Sequence, residues 1–512
     1  MTFRTTAAGL TAAAVTTVAL VAAFTHAQER GGPEEGELAS GATDPQEQGG
    51  SWDELPDPPQ FTDATVHDPS IVAAEDEYWV FGSHLAAAKT EDFIGWEQTA
   101  ELVDPENPLF DDVTEELSEA LEWAESTTLW APDVIQLSDG RYYMYYNACE
   151  GESPRSAMGV AVADEVDGPY KDLGIFLRSG HREGEGPSED GTPYDPLVHP
   201  NAVDPDVFYA DGTLWMVYGS YSGGLFILEM DEETGMPLAD QGYGTHLMGG
   251  NHSRIEAPNI LHHPDTGYYY LFTTFGGLDA DGGYNVRVAR AETPEGPYFD
   301  AEGNDMREVK ADPSLPIFDD ETIEPFGTKL MGNFLFQREE GDPGEGIGHG
   351  YVSPGHNTSH VDPDTGRMQL IFHSRFPDQG EVHEVRNHEM YMNAEGWPVV
   401  APYRFAGAEA GQVHHADVVG EYRFIDHGKA ISADINEAVS VELHDDGRIT
   451  GDVEGDWRLD GQNRADLIVD GESYNGVFAP QWDPTSESWV LTFSVLAEAG
   501  VSLWGSKVEP LV

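Results

Sequence analysis

The sequence predicts an all-β protein, a five-bladed β-propeller followed by a small β-barrel or sandwich domain. Its body holds almost no convincing helix; short runs rich in aromatic and β-branched residues, closed by Gly, Asp, Asn and Pro, follow one another as strands and turns do. One grammar recurs five times: a polar residue opens a short apolar strand, a hairpin turn follows, and an aromatic strand comes next. After Trp397–Tyr403 the texture changes to short alternating strands with no such repeat.

Residues 1–27 read as a secretory signal peptide. Arg4 supplies a positive start, Ala7 to Phe24 is an almost unbroken run of Ala, Val, Leu and Thr, and Thr25-His26-Ala27 offers a small-residue cleavage site. A membrane anchor fits less well, because the run is Ala/Thr-rich, barely long enough to span, and no second candidate follows. The expectation is a secreted, extracellular protein with no membrane attachment after cleavage. Residues 28–60 are Gly, Glu, Pro, Ser and Gln with almost no large apolar side chains, which predicts a disordered acidic linker.

The propeller is expected over residues 61–411. Its first unit runs from Asp68 into Glu75–Phe81, the second from Asp133 into Asp139–Tyr146, and the third from Asp204 into Asp211–Tyr218. The fourth runs from Glu256 into Asp265–Phe272 and the fifth from His356 into Asp364–Phe372. The opening polar residue stands at the same place in each unit, entering the innermost strand, so five such residues should converge on the axis. A β-sandwich would show similar hairpins but would not explain an acidic or His residue at the head of every unit. Residues 412–512 are expected to form a separate all-β domain, with strands such as Val439–Leu443 and Trp489–Phe493 and turns at Asp445–Gly447 and Asp460-Gly461.

The chain has 94 acidic and 25 basic residues, a formal net charge of −69, yet only 23% of its residues are charged. Basic residues are therefore depleted as well as acids gained. Such a field repels nucleic acid and anionic lipid and favours a neutral substrate. The acids are spread along the chain, which suits a surface kept soluble in high salt better than a binding tail. Cys149 stands alone, so no intramolecular disulfide forms; it is expected as a small buried residue after the Tyr142–Asn147 strand.

Glycoside hydrolysis needs one carboxylic acid to protonate the leaving oxygen and one carboxylate across the bond. The candidates are His67-Asp68-Pro69-Ser70, Trp130-Ala131-Pro132-Asp133, Asn201-Ala202-Val203-Asp204-Pro205-Asp206 and Ile255-Glu256-Ala257-Pro258-Asn259. A Pro beside an acid fixes the local backbone and favours a preorganised group over a mobile surface charge. Taken singly, any Asp-Pro reads as a turn; repetition at propeller positions reverses that.

This set of motifs resembles glycoside hydrolase family 43, and more narrowly its endo-1,5-α-L-arabinanases with an added C-terminal domain, from about Asp63 through Tyr403 and more weakly beyond. The resemblance implies that Asp68 is the general base, Asp204 the residue that tunes and holds the acid, and Glu256 the general acid of an inverting enzyme. Asp133 sits in as regular a motif, but the family keeps it outside the catalytic trio, and a structural role at the blade entrance is expected. Tyr351–Asn357 resembles the fifth-blade motif, which places His356 at the axis beside a hydrated calcium ion. A lone His nitrogen is unusual for calcium, and a His hydrogen-bonded in the core is the alternative; zinc is disfavoured because the other His residues, His262-His263 in an expected turn among them, lack ligand spacing. His67, Trp130, Asn201 and Arg375 are candidate substrate contacts, although Arg375 suits an acidic partner equally well. The sequons at Asn251 and Asn357 read as incidental. The implied partner is plant cell-wall arabinan, acted on by a monomer. An exo-acting β-xylosidase or α-L-arabinofuranosidase would use the same carboxylates, and a non-catalytic sugar-binding propeller would lack one of the trio. The C-terminal domain is expected to brace the propeller rather than bind carbohydrate.

Overall fold

A computed structural model describes Trp52 and residues 55–511 apart from Glu152; the expected signal peptide and most of the expected linker lie outside the described residues. The last part of that linker segment is not loose. Leu55 and Phe61 pack against Ala406, Ala408, Trp482 and Trp489, and the Trp489 indole donates to Pro56 O at 3.0 Å. The low apolar content of the segment hid that Leu55 has an aromatic surface to cover.

Five antiparallel sheets follow in chain order. The first four begin with innermost strands Ser70–Ala74, Leu129–Gln136, Asp206–Ala210 and Ile255–His263, and each sheet proceeds outward strand by strand. The innermost strand of the fifth, Gly348–Val361, pairs outward with Met368–Arg375 and along its other edge with Phe334–Gln337. The hairpin turns fall at the expected dipeptides. Asp211 (φ 51°) and Gly212 (φ 81°) both take left-handed backbone, the twist that two-residue hairpins favour. The described helices are short; the longest, Ser118–Ala124, packs on the second blade. Among the described residues no helix is long and apolar enough to cross a membrane. His262-His263 closes the innermost strand of the fourth blade rather than lying in its turn.

Each innermost strand is broken at the same place. Asp68 (φ 57°), Ala131 (22°), Asp204 (53°), Ala257 (56°) and His356 (45°) all have left-handed backbone, and all but His356 are followed by Pro. The ladder shifts register between Trp130 and Asp133, Glu256 and Asn259, and Gly355 and Thr358. A bulge of this kind re-aims side chains that strict alternation would send into the space between blades.

Just beyond the breaks, a ring of polar groups joins blade to blade. Asp133 accepts from Ser70 Oγ of the first blade and, at 2.8 Å, from Val207 N of the third. Asp206 accepts from Asn259 Nδ2 (2.7 Å) and Ile260 N (3.0 Å) of the fourth, and Asn259 accepts from Ser359 Oγ of the fifth. The circle closes where Asp68 N donates to His373 Nδ1 at 3.1 Å. Outside, Val385 N bonds Ala64 O at 2.9 Å, and Asp63 binds Arg386 and Arg404 at 3.2 and 2.8 Å.

The C-terminal domain is a closed eight-stranded barrel running from Gly420–Asp426 to Ser502–Lys507, sealed by the pairing of those two strands. Its Trp504, fully buried, meets Phe334 edge-on at 5.1 Å and belongs to one apolar cluster with Phe272, Phe372 and Tyr403. Lys329 donates to His427 O (3.0 Å) and Ala430 O (2.8 Å) across the same interface. The barrel thus braces the fourth and fifth blades.

Candidate active site

The broken strand ends bring Asp68, Asp204, Glu256 and His356 to the axis, all nearly buried. Asp68, at 4% exposure, is the most constrained. Its Oδ1 lies 2.9 Å from His356 Nδ1, its Oδ2 lies 2.7 Å from His67 Nδ1, and Ser83 Oγ donates to Oδ2. Ser83 in turn accepts from Ala131 N at 2.9 Å, tying Asp68 to the second blade. Gly82 is required beside it: a Cβ there would stand 2.1 Å from His67 O.

Glu256 is held from the neighbouring blade. Ser220 Oγ donates to its Oε2 at 2.6 Å, while Oε1 is buried with no protein partner. Asp204 Oδ2 accepts from Ala257 N at 3.2 Å, which fixes Asp204 beside the Glu256 main chain.

These surroundings drive the carboxyls apart. Burial alone would raise Asp68, but the imidazoles of His356 and His67 outweigh it and hold the group well below the usual carboxylate range. Burial and then the Asp204 charge push Glu256 up to about 8. Burial raises Asp204 to about 6, opposed by His356. Burial alone would lower His356, but Asp68 and then Asp204 outweigh it and raise the imidazole to about 9. The site therefore offers an ionised Asp68 and a protonated Glu256 at neutral pH, the division of roles that general acid–base chemistry requires.

The other expected contacts differ in what they touch. His67 stacks on His373 at 3.9 Å and meets His383 edge-on at 5.0 Å. Trp130 donates its indole N–H to Cys149 O at 2.9 Å and leans on His84, leaving part of its ring in solvent. Asn201 Oδ1 accepts from Ser156 Oγ (2.6 Å) and Ser179 Oγ (3.2 Å), a brace between blades. Arg375 is buried and committed to Glu381, Nε to Oε2 at 2.6 Å. Cys149 is buried at its strand end, and Asn357 is buried on the axis. Ser83, Ser220 and His373 carry no mark in the motifs themselves. A signal for the serines does exist: Phe81-Gly82-Ser83 and Tyr218-Gly219-Ser220 repeat the same Gly-Ser pair after the second strand of a blade.

Two groupings bear on metal binding. His67, Asp68 and His373 bring three ligand atoms within 4.8 Å of one another. His373 Nδ1 already accepts from Asp68 N, and the two stacked imidazoles cannot aim their lone pairs at one point. The second grouping fits a hard cation better. Asp68, Asp133, Asp204, Asp206, Asn259, His356 and Asn357 line a small axial space of about 20 Å³, room for about one water or ion. Both amide atoms of Asn357 are buried there without a protein partner, and the lining is rich in the oxygen ligands calcium prefers.

Comparison with known proteins places these features in a family. Residues 61–320 match the family model described as glycosyl hydrolases family 43, and residues 402–505 match one described as a C-terminal lipocalin-like domain. The chain is 56% identical over 450 residues to an extracellular endo-α-(1→5)-L-arabinanase of Bacillus subtilis, covering 88% of this chain and 94% of that protein. It is 48% identical over 457 residues to the corresponding extracellular enzyme of Thermotoga petrophila, covering 88% and 95%. Among crystal structures, a glycoside hydrolase family 43 protein of Bacillus licheniformis superposes with a TM-score of 0.85 at 56% identity, covering 88% of this chain and all of that one. The Thermotoga petrophila endo-1,5-α-L-arabinanase superposes with a TM-score of 0.84 at 47% identity and the same coverage.

Proposed function

The chain belongs to glycosyl hydrolase family 43, and on that premise we propose that it is a secreted endo-1,5-α-L-arabinanase that hydrolyses internal bonds of arabinan with inversion. The observation that carries the chemistry is the pairing, on one axis, of a carboxyl held ionised and a carboxyl held protonated. Glu256, protonated, donates its proton to the glycosidic oxygen as the C–O bond breaks. Asp68, ionised, takes a proton from the water that attacks the anomeric carbon from the opposite face, which inverts the configuration. Asp204 keeps Glu256 protonated by charge, and Ser220 orients it, leaving Oε1 free to face the leaving oxygen. The extracellular relatives support secretion, and an N-terminal signal peptide over residues 1–27 would direct it.

Calcium belongs to the same reading. His356, with the Asn357 amide and the carboxylates of Asp68 and Asp204 about it, would hold the ion, since surroundings that favour a proton on His356 also favour a cation in its place. Bound there, calcium would supply a fixed positive charge beside Asp68. Metal analysis of the purified protein should find calcium, and chelation should lower the melting temperature until calcium is restored; a protein free of calcium and indifferent to chelator would refute its place here.

The enzyme assignment is tested by incubating the protein with linear 1,5-α-arabinan in salt and calcium and sizing the products over time. Mixed short oligomers should appear early, and Glu256→Gln should slow their formation by a factor on the order of 10²–10⁴. Monomer alone would indicate an exo-enzyme, and no product would leave a sugar-binding propeller.

A further inference from the structure

Against Tyr221, which bonds the strand that carries Glu256, stands an apolar wall that the chemistry above does not use. Ile317 and Phe318 are 66% and 49% exposed, on a surface where most side chains are acidic or small. Phe318 has φ 65°, a left-handed conformation that a bulky aromatic adopts only when its surroundings impose it. Its ring meets Tyr221 edge-on, 87° between planes and 5.5 Å between centroids.

Tyr221 fixes that ring relative to Glu256. Its backbone N donates to Ile255 O at 3.0 Å and its hydroxyl to Gly276 O at 3.1 Å, so it is gripped by the innermost strand that carries the acid and by the end of the strand paired with it. The loop itself is anchored to the same strand. Arg254 Nε donates to both oxygens of Asp320, at 3.1 and 3.0 Å, and Arg254 also donates to Gly282 O at 3.3 Å. Asp320 is two residues past Phe318, and Arg254 two residues before Glu256. Internal bonds such as Asp319 N to Pro316 O (3.1 Å) and Ile323 N to Asp320 O (2.9 Å) stiffen the turn. An exposed, strained aromatic on a rigid mount is the arrangement of a binding platform rather than of a core residue.

The acid defines which sugar the platform faces. Glu256 protonates the oxygen of the leaving chain, whereas Asp68 works on the opposite face of the sugar that is attacked. We propose that Phe318, flanked by Ile317 and held one side chain (Tyr221) away from the strand of the acid, is the stacking platform for the leaving chain beyond its first arabinofuranose unit, and that it sets where along a chain the enzyme cuts. This inference rests on the endo-arabinanase reading. Arabinofuranose presents C–H groups on one face, which an aromatic ring accepts while the hydroxyls stay in solvent.

The test is bond-by-bond cleavage of arabinohexaose labelled with ¹⁸O at its reducing end, read by mass spectrometry for wild type, Phe318→Ala and Phe318→Tyr. For Phe318→Ala, kcat/KM should fall on the order of five- to tenfold, the worth of one aromatic contact. Cleavage should also shift toward the reducing end, because registers that rely on leaving-side sugars lose affinity. Phe318→Tyr should restore both rate and pattern. Unchanged rate and pattern in Phe318→Ala would overturn the assignment. So would a lower rate with an unchanged pattern, which would mean that the loop acts on Glu256 instead. Wild type that leaves arabinohexaose and arabinan intact would overturn the enzyme reading itself, and the platform with it.

Discussion

Glu256 and Asp68 are both buried carboxyls within one small site, and their surroundings alone separate their titrations. Asp68 faces two imidazoles, whereas Glu256 faces burial and a second carboxylate. In the proposed roles Glu256 must keep its proton and Asp68 must lack one, so activity should hold across neutral pH and fall as pH rises through about 8, where Glu256 ionises. The acidic limb should lie below the ordinary Asp range, because Asp68 stays ionised there. Removing the Asp204 charge lowers the pKa of Glu256, so Asp204→Asn should move the alkaline limb of kcat/KM to lower pH; an unmoved limb would show that Asp204 does not tune the acid. The axial position of these residues was legible because each heads a repeat, with Pro next to Asp68 and Asp204 and two positions past Glu256. Ser83 and Ser220 show only as a repeated Gly-Ser pair and His373 not at all, since their partners lie 15, 36 and 305 positions away, and only folding makes them neighbours.

At the scale of the innermost strand, the positive-φ break decides what each motif does. Residues at or just before the break, Asp68, Asp204, Glu256 and His356, form the axial layer proposed to carry the chemistry, and those two positions past the left-handed residue, Ser70, Asp133, Asp206 and Asn259, form the ring that joins the blades. Asp133 falls in the second layer, where burial raises it to about 6 and it accepts from two neighbouring blades. Asp133→Ala should therefore lower stability by about 1–3 kcal/mol through the stranded Val207 N–H, read as a lower urea midpoint, while kcat/KM changes by no more than a few-fold. A loss of activity without a loss of stability would assign Asp133 to the chemistry instead. The sequence shows Asp133 in a motif as regular as its neighbours; the layer it occupies depends on where the register shift falls.

The whole molecule carries a formal net charge of −69, and its compact state works against that self-repulsion. Added NaCl screens charges across the surface at a Debye length of about 10 Å at 0.1 M and about 3 Å at 1 M. The melting temperature should accordingly rise between 0.1 and 1 M NaCl; a flat or falling trend would remove the argument for a surface suited to high salt. The interface between propeller and barrel should be less sensitive, since Trp504 and the apolar cluster around it are buried and Lys329 is bound to carbonyls there.

The sequence by itself determined the five repeats, the all-β class, the change of texture before the barrel and the residues that converge on the axis. All of these follow from local patterns: strand alternation, turn dipeptides and a polar residue at a constant offset. Only the tertiary structure decided that the C-terminal strands close as a barrel against the last two blades and that Arg375 is spent on Glu381. It alone set an exposed Phe318 against Tyr221, whose backbone bonds the strand that carries Glu256. Each of these depends on contacts between segments that no local period links, and burial, charge pairing and backbone strain are settled only once those segments meet.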